Sequence, residues 1–178
     1  MQFPGSPAAR RSLFYTVVNG LMFNVTWFAI VASESAIIAP LVAALHLIVH
    51  FVLMGKGYVE LKVIAQVALI GIVVDQLLFY AGVFVVSGQR ELPPLWISCI
   101  WPVLATTLMH AFSGLQSRYI LSGFLGGVGG AAAFIAGTQL TSVAFESALA
   151  GPVIIGIVWA VIFPLLLQIP RLNSYEKL

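Results

Sequence analysis

The chain has 178 residues, of which 61% are hydrophobic, eight are Lys or Arg and six are Asp or Glu. A soluble domain carries roughly a quarter of its residues charged; here the share is 8%, with a mean hydropathy of +1.06. That excludes a water-solvated domain in favour of a lipid-solvated one, and a net charge of +2 spread over loops implies no nucleic-acid partner.

A spanning helix needs about 20 mostly apolar residues, and six such segments can be cut. The first, Ser12–Ala32, follows Arg10-Arg11 and carries Thr16, Asn19, Asn24 and Thr26. Polar groups of that kind hydrogen-bond across helices, at about 0.6 kcal/mol each. The run is too long for a signal peptide and lacks a small-residue cleavage site, so it reads as a retained helix. The second, Ala36–Met54, follows the tight Ser33-Glu34-Ser35 turn and contains His46 and His50. After Gly55-Lys56-Gly57 comes the third, Val63–Val86, with Asp75 inside it.

A loop of Gly88-Gln89-Arg90-Glu91-Leu92-Pro93-Pro94 leads to the fourth segment, Leu95–Gly114. It holds Cys99, Pro102, Thr106, Thr107 and His110. Pro102 is expected to bend it midway. As the single cysteine, Cys99 has no disulfide partner in the chain and belongs to no cysteine metal set; packing is its expected role.

Beyond Gln116-Ser117-Arg118 the fifth segment, Ile120–Leu140, is rich in glycine. Gly123, Gly126, Gly127, Gly130 and Gly137, with Ala133, recur at four-residue spacing, and Gly129 widens the smooth face. Small residues let membrane helices approach closely, so this helix is expected inside the bundle against two neighbours. A substrate-lining break is the alternative. The sixth segment is Leu149–Gln168, with Pro152, Trp159 and Pro164. Trp27, Trp96 and Trp101 fall toward the outer ends of their segments, where an interfacial aromatic belt is expected. Trp101, a turn deeper, is alternatively a pocket wall for an acyl chain or ring.

If the six spans alternate, Arg10, Arg11, Lys56, Lys62, Arg118, Arg171 and Lys177 share one side, and only Arg90 lies opposite. Lys/Arg excess marks the cytoplasmic side, so both termini are expected there. The fold class is an all-α, six-helix polytopic bundle forming a single transmembrane domain over residues 1–178, in the bacterial inner membrane. No segment leaves room for an extramembrane catalytic domain, a phosphate loop or a nucleophile elbow.

Ionisable residues inside a bilayer are costly and mark functional candidates. His46, His50, Asp75 and His110 are the four here. Counted at about 1.5 Å per residue, His46 and Asp75 fall near the midplane, and His50 and His110 about 7–8 Å toward the cytoplasm. With Thr106 and Thr107 they form the candidate ligand-binding pocket. His46 and His50 share a helical face. That spacing suits a metal with Asp75 and His110 as further ligands, a proton relay, or a polar cluster tying helices together. No metal, cofactor or catalytic residue is assigned.

These residues also carry a resemblance. Pro94-Leu95-Trp96, then Trp101, then Ala105-Thr106-Thr107-Leu108-Met109-His110 resemble the motifs of a bacterial inner-membrane family, domain-of-unknown-function family 2878. Gly126-Gly127-Val128-Gly129-Gly130 and Ala136-Gly137 resemble its glycine-rich segment, and Asn19, Phe23, Trp27, Gly71 and Asp75 fit its pattern. Gly130-Ala131 departs from an expected glycine-proline step, and Ala133-Phe134 from serine-tyrosine, so a tyrosine hydroxyl serving a site there is absent. The resemblance implies a link to enzymes that modify membrane lipids.

The expected function is an accessory role in membrane-lipid or envelope metabolism, binding a lipid or small amphiphile in a polar intramembrane pocket. A small-solute transporter or substrate-binding subunit and an intramembrane metal-dependent lipid hydrolase are the alternatives. Expected partners are membrane lipid and a membrane-protein partner or a second copy of the chain.

Overall fold

Away from water a backbone must satisfy its own polar groups, and a helix does so without help from its neighbours. The computed structural model describes residues 7–89 and 92–175, the side chains of 7–12 and 174–175 excepted. It is an all-α bundle. The order is α1 (Pro7–Ser33), α2 (Ile38–Met54), α3 (Tyr58–Tyr80), strand β1 (Phe84–Val86), α4 (Leu95–Ser98), α5 (Ile100–Leu108), a 3-10 turn (Ser113–Leu115), α6 (Tyr119–Leu140), β2 (Val143–Phe145), α7 (Ala150–Leu166) and α8 (Ile169–Tyr175). Four helical stretches are long and apolar enough to cross a membrane: Leu13–Ser33, Tyr58–Tyr80, Tyr119–Leu140 and Ala150–Asn173. Ile38–Met54 and Leu95–Leu108 are apolar but shorter.

The third helix is displaced from its expected bounds. It begins at Tyr58, where Gly57 takes φ 73°, and ends at Tyr80, so Glu60 lies in its first turn. Phe84–Val86 is not its end but a strand, paired antiparallel with Val143–Phe145 in the register Phe84↔Phe145. Alternating and helical apolar patterns cannot be told apart over so short a run. At this end of the bundle Glu34 Oε2 also accepts from the Ser142 amide at 2.8 Å.

The expected bend in the fourth segment falls at Cys99, between α4 and α5. A proline ring clashes with the carbonyl four residues earlier. For Pro102 that is Ser98, where α4 stops. Helix α5 stops at Leu108, so His110 lies in the turn after it, not inside a helix. Cys99 is half-buried against the core, as a small packing residue.

The expectation that the glycine-rich helix is buried among several neighbours is corrected. Only Ser122 and Gly126 of α6 are buried, and its one extensive partner is α7. A Cβ on Gly127 would stand 2.9 Å from Gly156 O, and one on Gly123 would stand 3.0 Å from Ala160 O. Gly126 and Gly130 face Phe163 and Trp159. Gly129 meets nothing, and neither does Gly137, which corrects its expected packing role.

The rest of the bundle packs α1 on α2 and α5, and α3 on α5 and α8. Its outside is apolar: Leu21, Val25, Phe28, Leu45, Ile48, Val52, Leu69, Val73, Val153 and Ile157 are all exposed. Its inside holds the polar side chains Asn19, Thr26, His46, His50, Glu60, Asp75, Thr106, Thr107 and His110. Lys56 reaches Met109 O and Arg171 reaches Gln116 O, so both lie at the end of the bundle opposite Glu34. Arg90 and Lys177 lie outside the described residues, as do the side chains of Arg10 and Arg11.

Candidate functional site

Two separate sites emerge where one was expected. The first sits at the end of the bundle that carries Lys56. Helix α2 delivers His50 from one turn above its C-terminus, α3 delivers Glu60 from its first turn, and the turn after α5 delivers His110. Glu60 Oε1 accepts from His50 Nε2 at 2.8 Å and from His110 Nε2 at 2.9 Å. Its Oε2 accepts from the Lys56 amide at 2.7 Å. His50 and Glu60 are fully buried and His110 is 8% exposed.

Asn19 on α1 completes this cluster. Its Oδ1 accepts from the Ala111 amide at 3.2 Å, which turns its Nδ2 toward His50 Nδ1 at 3.4 Å. His50 Nδ1 is then the acceptor and Nε2 carries the proton donated to Glu60. His110 also lines a polar pocket with Thr16, Lys56 and Ser113, so one edge of the cluster has a route outward.

His46 does not join that cluster through its own hydrogen bonds. Its Nδ1 accepts from Thr26 Oγ1 at 2.8 Å and its Nε2 donates to Thr106 Oγ1 at 3.2 Å. Thr106 meanwhile donates to Val103 O at 2.7 Å, which leaves its lone pairs for the imidazole. The result is a tie between α1, α2 and α5. The His46 ring lies parallel to the His50 ring, with centroids 6.2 Å apart.

Asp75 belongs to the second site. Glu60 and Asp75 are both on α3, and fifteen residues of helix separate them by about 22 Å of rise. Asp75 Oδ2 accepts from Trp101 Nε1 at 2.7 Å. Among the described residues Trp101 is its hydrogen-bond partner, and no side-chain oxygen is both buried and unpartnered, so Oδ1 is the oxygen open to the cavity. Gly71, one turn before Asp75, makes room: a Cβ there would run into the Trp101 indole. Trp159 stacks on Trp101 with centroids 5.4 Å apart and rings 3° from parallel. Gly130 cradles Trp159 in turn, as a Cβ on it would collide with that indole.

These rings wall a cavity of about 530 Å³. Trp27, Trp96, Trp101 and Trp159 line it with Phe79 and Phe134, and among the described residues Asp75 is its one ionisable side chain. Thr107 also lines it, although its hydroxyl donates to Leu104 O at 2.6 Å. Asn24 of α1 and Leu125 and Gly129 of α6 are lining residues that are themselves exposed. The mouth therefore opens sideways between α1 and α6. The belt expected for Trp96 and Trp101 is corrected: they are 6% and 4% exposed.

The expected pocket of His46, His50, Asp75, Thr106, Thr107 and His110 is thus divided. His50 and His110 meet at Glu60, His46 and Thr106 form a bridge, and Asp75 and Thr107 line the cavity. Glu60 is not legible from hydropathy, because the apolar run starts only at Val63 and leaves the acid in the preceding loop. Its position four residues after Lys56 and three before an apolar run was the available signal. Trp159 and Gly71 were visible, but nothing in their spacing joined them to Trp101.

A family model described as "Protein of unknown function (DUF2878)" matches residues 16–165. The chain belongs to that family. No curated protein and no solved structure matches the chain.

Proposed function

We propose that this member of the DUF2878 family is a six-span protein of the bacterial cytoplasmic membrane that takes a lipid or small amphiphile into the tryptophan-walled cavity, as an accessory of membrane-lipid or envelope metabolism. The reading rests on one observation. Asp75 is a buried carboxylate with one oxygen held by Trp101 and the other left to an otherwise apolar cavity. That second oxygen is open to the cavity, and a head group that donates a hydrogen bond to it makes a charge-assisted contact, roughly twice as strong as a neutral one.

The walls suit the remainder of such a molecule. Sites of about 300–1,000 Å³ with apolar walls and few polar groups are typical for small ligands. Among the described residues no Lys or Arg lines the cavity, so the head it suits is a hydroxyl or an amine and not a phosphate. The sideways mouth between α1 and α6 lets an amphiphile enter from the bilayer without crossing water.

Native mass spectrometry of the gently solubilised protein tests this. The wild type is expected to retain a lipid-sized adduct that Asp75→Leu and Gly129→Leu both lose. Gly129 faces open space, so a leucine there fills the cavity without meeting a neighbour. A wild type that carries no adduct, or a Gly129→Leu protein that keeps it, overturns the reading.

A further inference from the structure

We infer that His50 Nε2, Glu60 Oε1 and His110 Nε2 form a binding site for a first-row divalent cation of the zinc class, at the Lys56 end of the bundle and distinct from the Asp75 carboxylate. The three donor atoms come from three different elements of the chain and all lie within 4.8 Å of one another. Two imidazoles and one carboxylate are a ligand set that suits zinc and leaves a fourth position for water or a substrate oxygen. Donors at the usual 2.0–2.2 Å from zinc stand roughly 3.3 Å apart in a tetrahedron. The 2.8 and 2.9 Å contacts at Glu60 need to open by only about half an ångström to reach that spacing.

The surroundings also fit. A ligating histidine has its other ring nitrogen held by an outer partner, and His50 Nδ1 has Asn19. Ligation through Nε2 moves the His50 proton to Nδ1. The Asn19 Oδ1 accepts the resulting Nδ1–H hydrogen bond after a half-turn of its amide, at the cost of its bond from Ala111. The Lys56 amide holds Glu60 Oε2, so Oε1 is the oxygen presented to the histidines. His110 lines the polar pocket shared with Thr16, Lys56 and Ser113, which supplies an entry path. His46 and Asp75 are excluded from the set, since the first is engaged by Thr26 and Thr106 and the second by Trp101.

The test uses the full-length chain in detergent, freed of any affinity tag, stripped with chelator and then offered zinc alone. Bound zinc is measured by mass spectrometry of the metal, and affinity by competition with a chromophoric chelator. The wild type is expected to take up about one zinc per chain. Glu60→Gln and His110→Gln are expected to weaken binding by about 100-fold or more, and Asn19→Leu by about 10–100-fold. His46→Gln leaves the stoichiometry unchanged. Cobalt replacing zinc adds a second readout, visible bands that His110→Gln alters. A stripped wild type that takes up no zinc overturns the inference whether or not the variants fold. So does a monodisperse His110→Gln protein that binds zinc as tightly as the wild type.

Discussion

Trp101 donates its indole N–H to Asp75 Oδ2 at 2.7 Å, lying across the bare backbone of Gly71 to reach it. The glycine, the indole and the carboxylate make one device. Gly71 and Asp75 are one turn apart on α3, so they share a face, and Trp159 closes the far side of the indole. A polar group that would be costly in lipid is thereby fixed at the wall of the cavity.

Gly71→Ala is expected to destabilise the bundle by about 1–3 kcal/mol, the usual cost of overpacking. Alanine gains about 0.5–1 kcal/mol over glycine in a helix, but the clash with Trp101 outweighs it. Unfolding in mixed detergent micelles measures the loss, and a shift in tryptophan emission reports the displaced indole. An alanine variant as stable as the wild type removes the device.

The packed and the open glycines of α6 should separate cleanly. Gly127→Leu drives a side chain into the backbone of α7 at Gly156 and is expected to lower the unfolding midpoint and loosen the α6–α7 pair. Gly129→Leu is expected to leave the midpoint near the wild type, since nothing lies within reach of a Cβ there. Equal loss in both variants contradicts the division.

Glu60→Leu removes the acceptor of two imidazole N–H groups and one amide at once. Breaking a buried charged network by removing one partner costs about 3–5 kcal/mol. Glu60→Gln keeps an acceptor oxygen and is expected to lose clearly less. Parallel unfolding curves of the two variants check the order.

The six-span reading predicts opposite sides for Ser117 and Ser147, which lie in the loops before and after α6. In a Cys99→Ala background, Ser117→Cys is expected to react with a membrane-impermeant maleimide only in inverted vesicles. Ser147→Cys is expected to react only in right-side-out cells. Labelling of both from one side contradicts it.

The sequence alone determined the helical class and the six apolar segments, because hydropathy reports transfer from water residue by residue and needs no neighbour. It also marked His46, His50, Asp75 and His110, since each is conspicuous against an apolar background. Helix bounds suffered where local signals conflict: Gly57 started α3 early and placed Glu60 inside it, and Phe84–Val86 read equally well as helix or strand.

Only the tertiary structure decided how those marked residues are shared out. Helix rise carried Asp75 about 22 Å from Glu60, and side-chain bonds between helices gave His46 to Thr26 and Thr106. The packing of Gly71 under Trp101 and Gly130 under Trp159 turned four scattered tryptophans toward one cavity. Composition and spacing fix what a helix presents along its own axis. Which helix it meets, and at what height, depends on close packing between segments distant in the chain, and no local pattern records that.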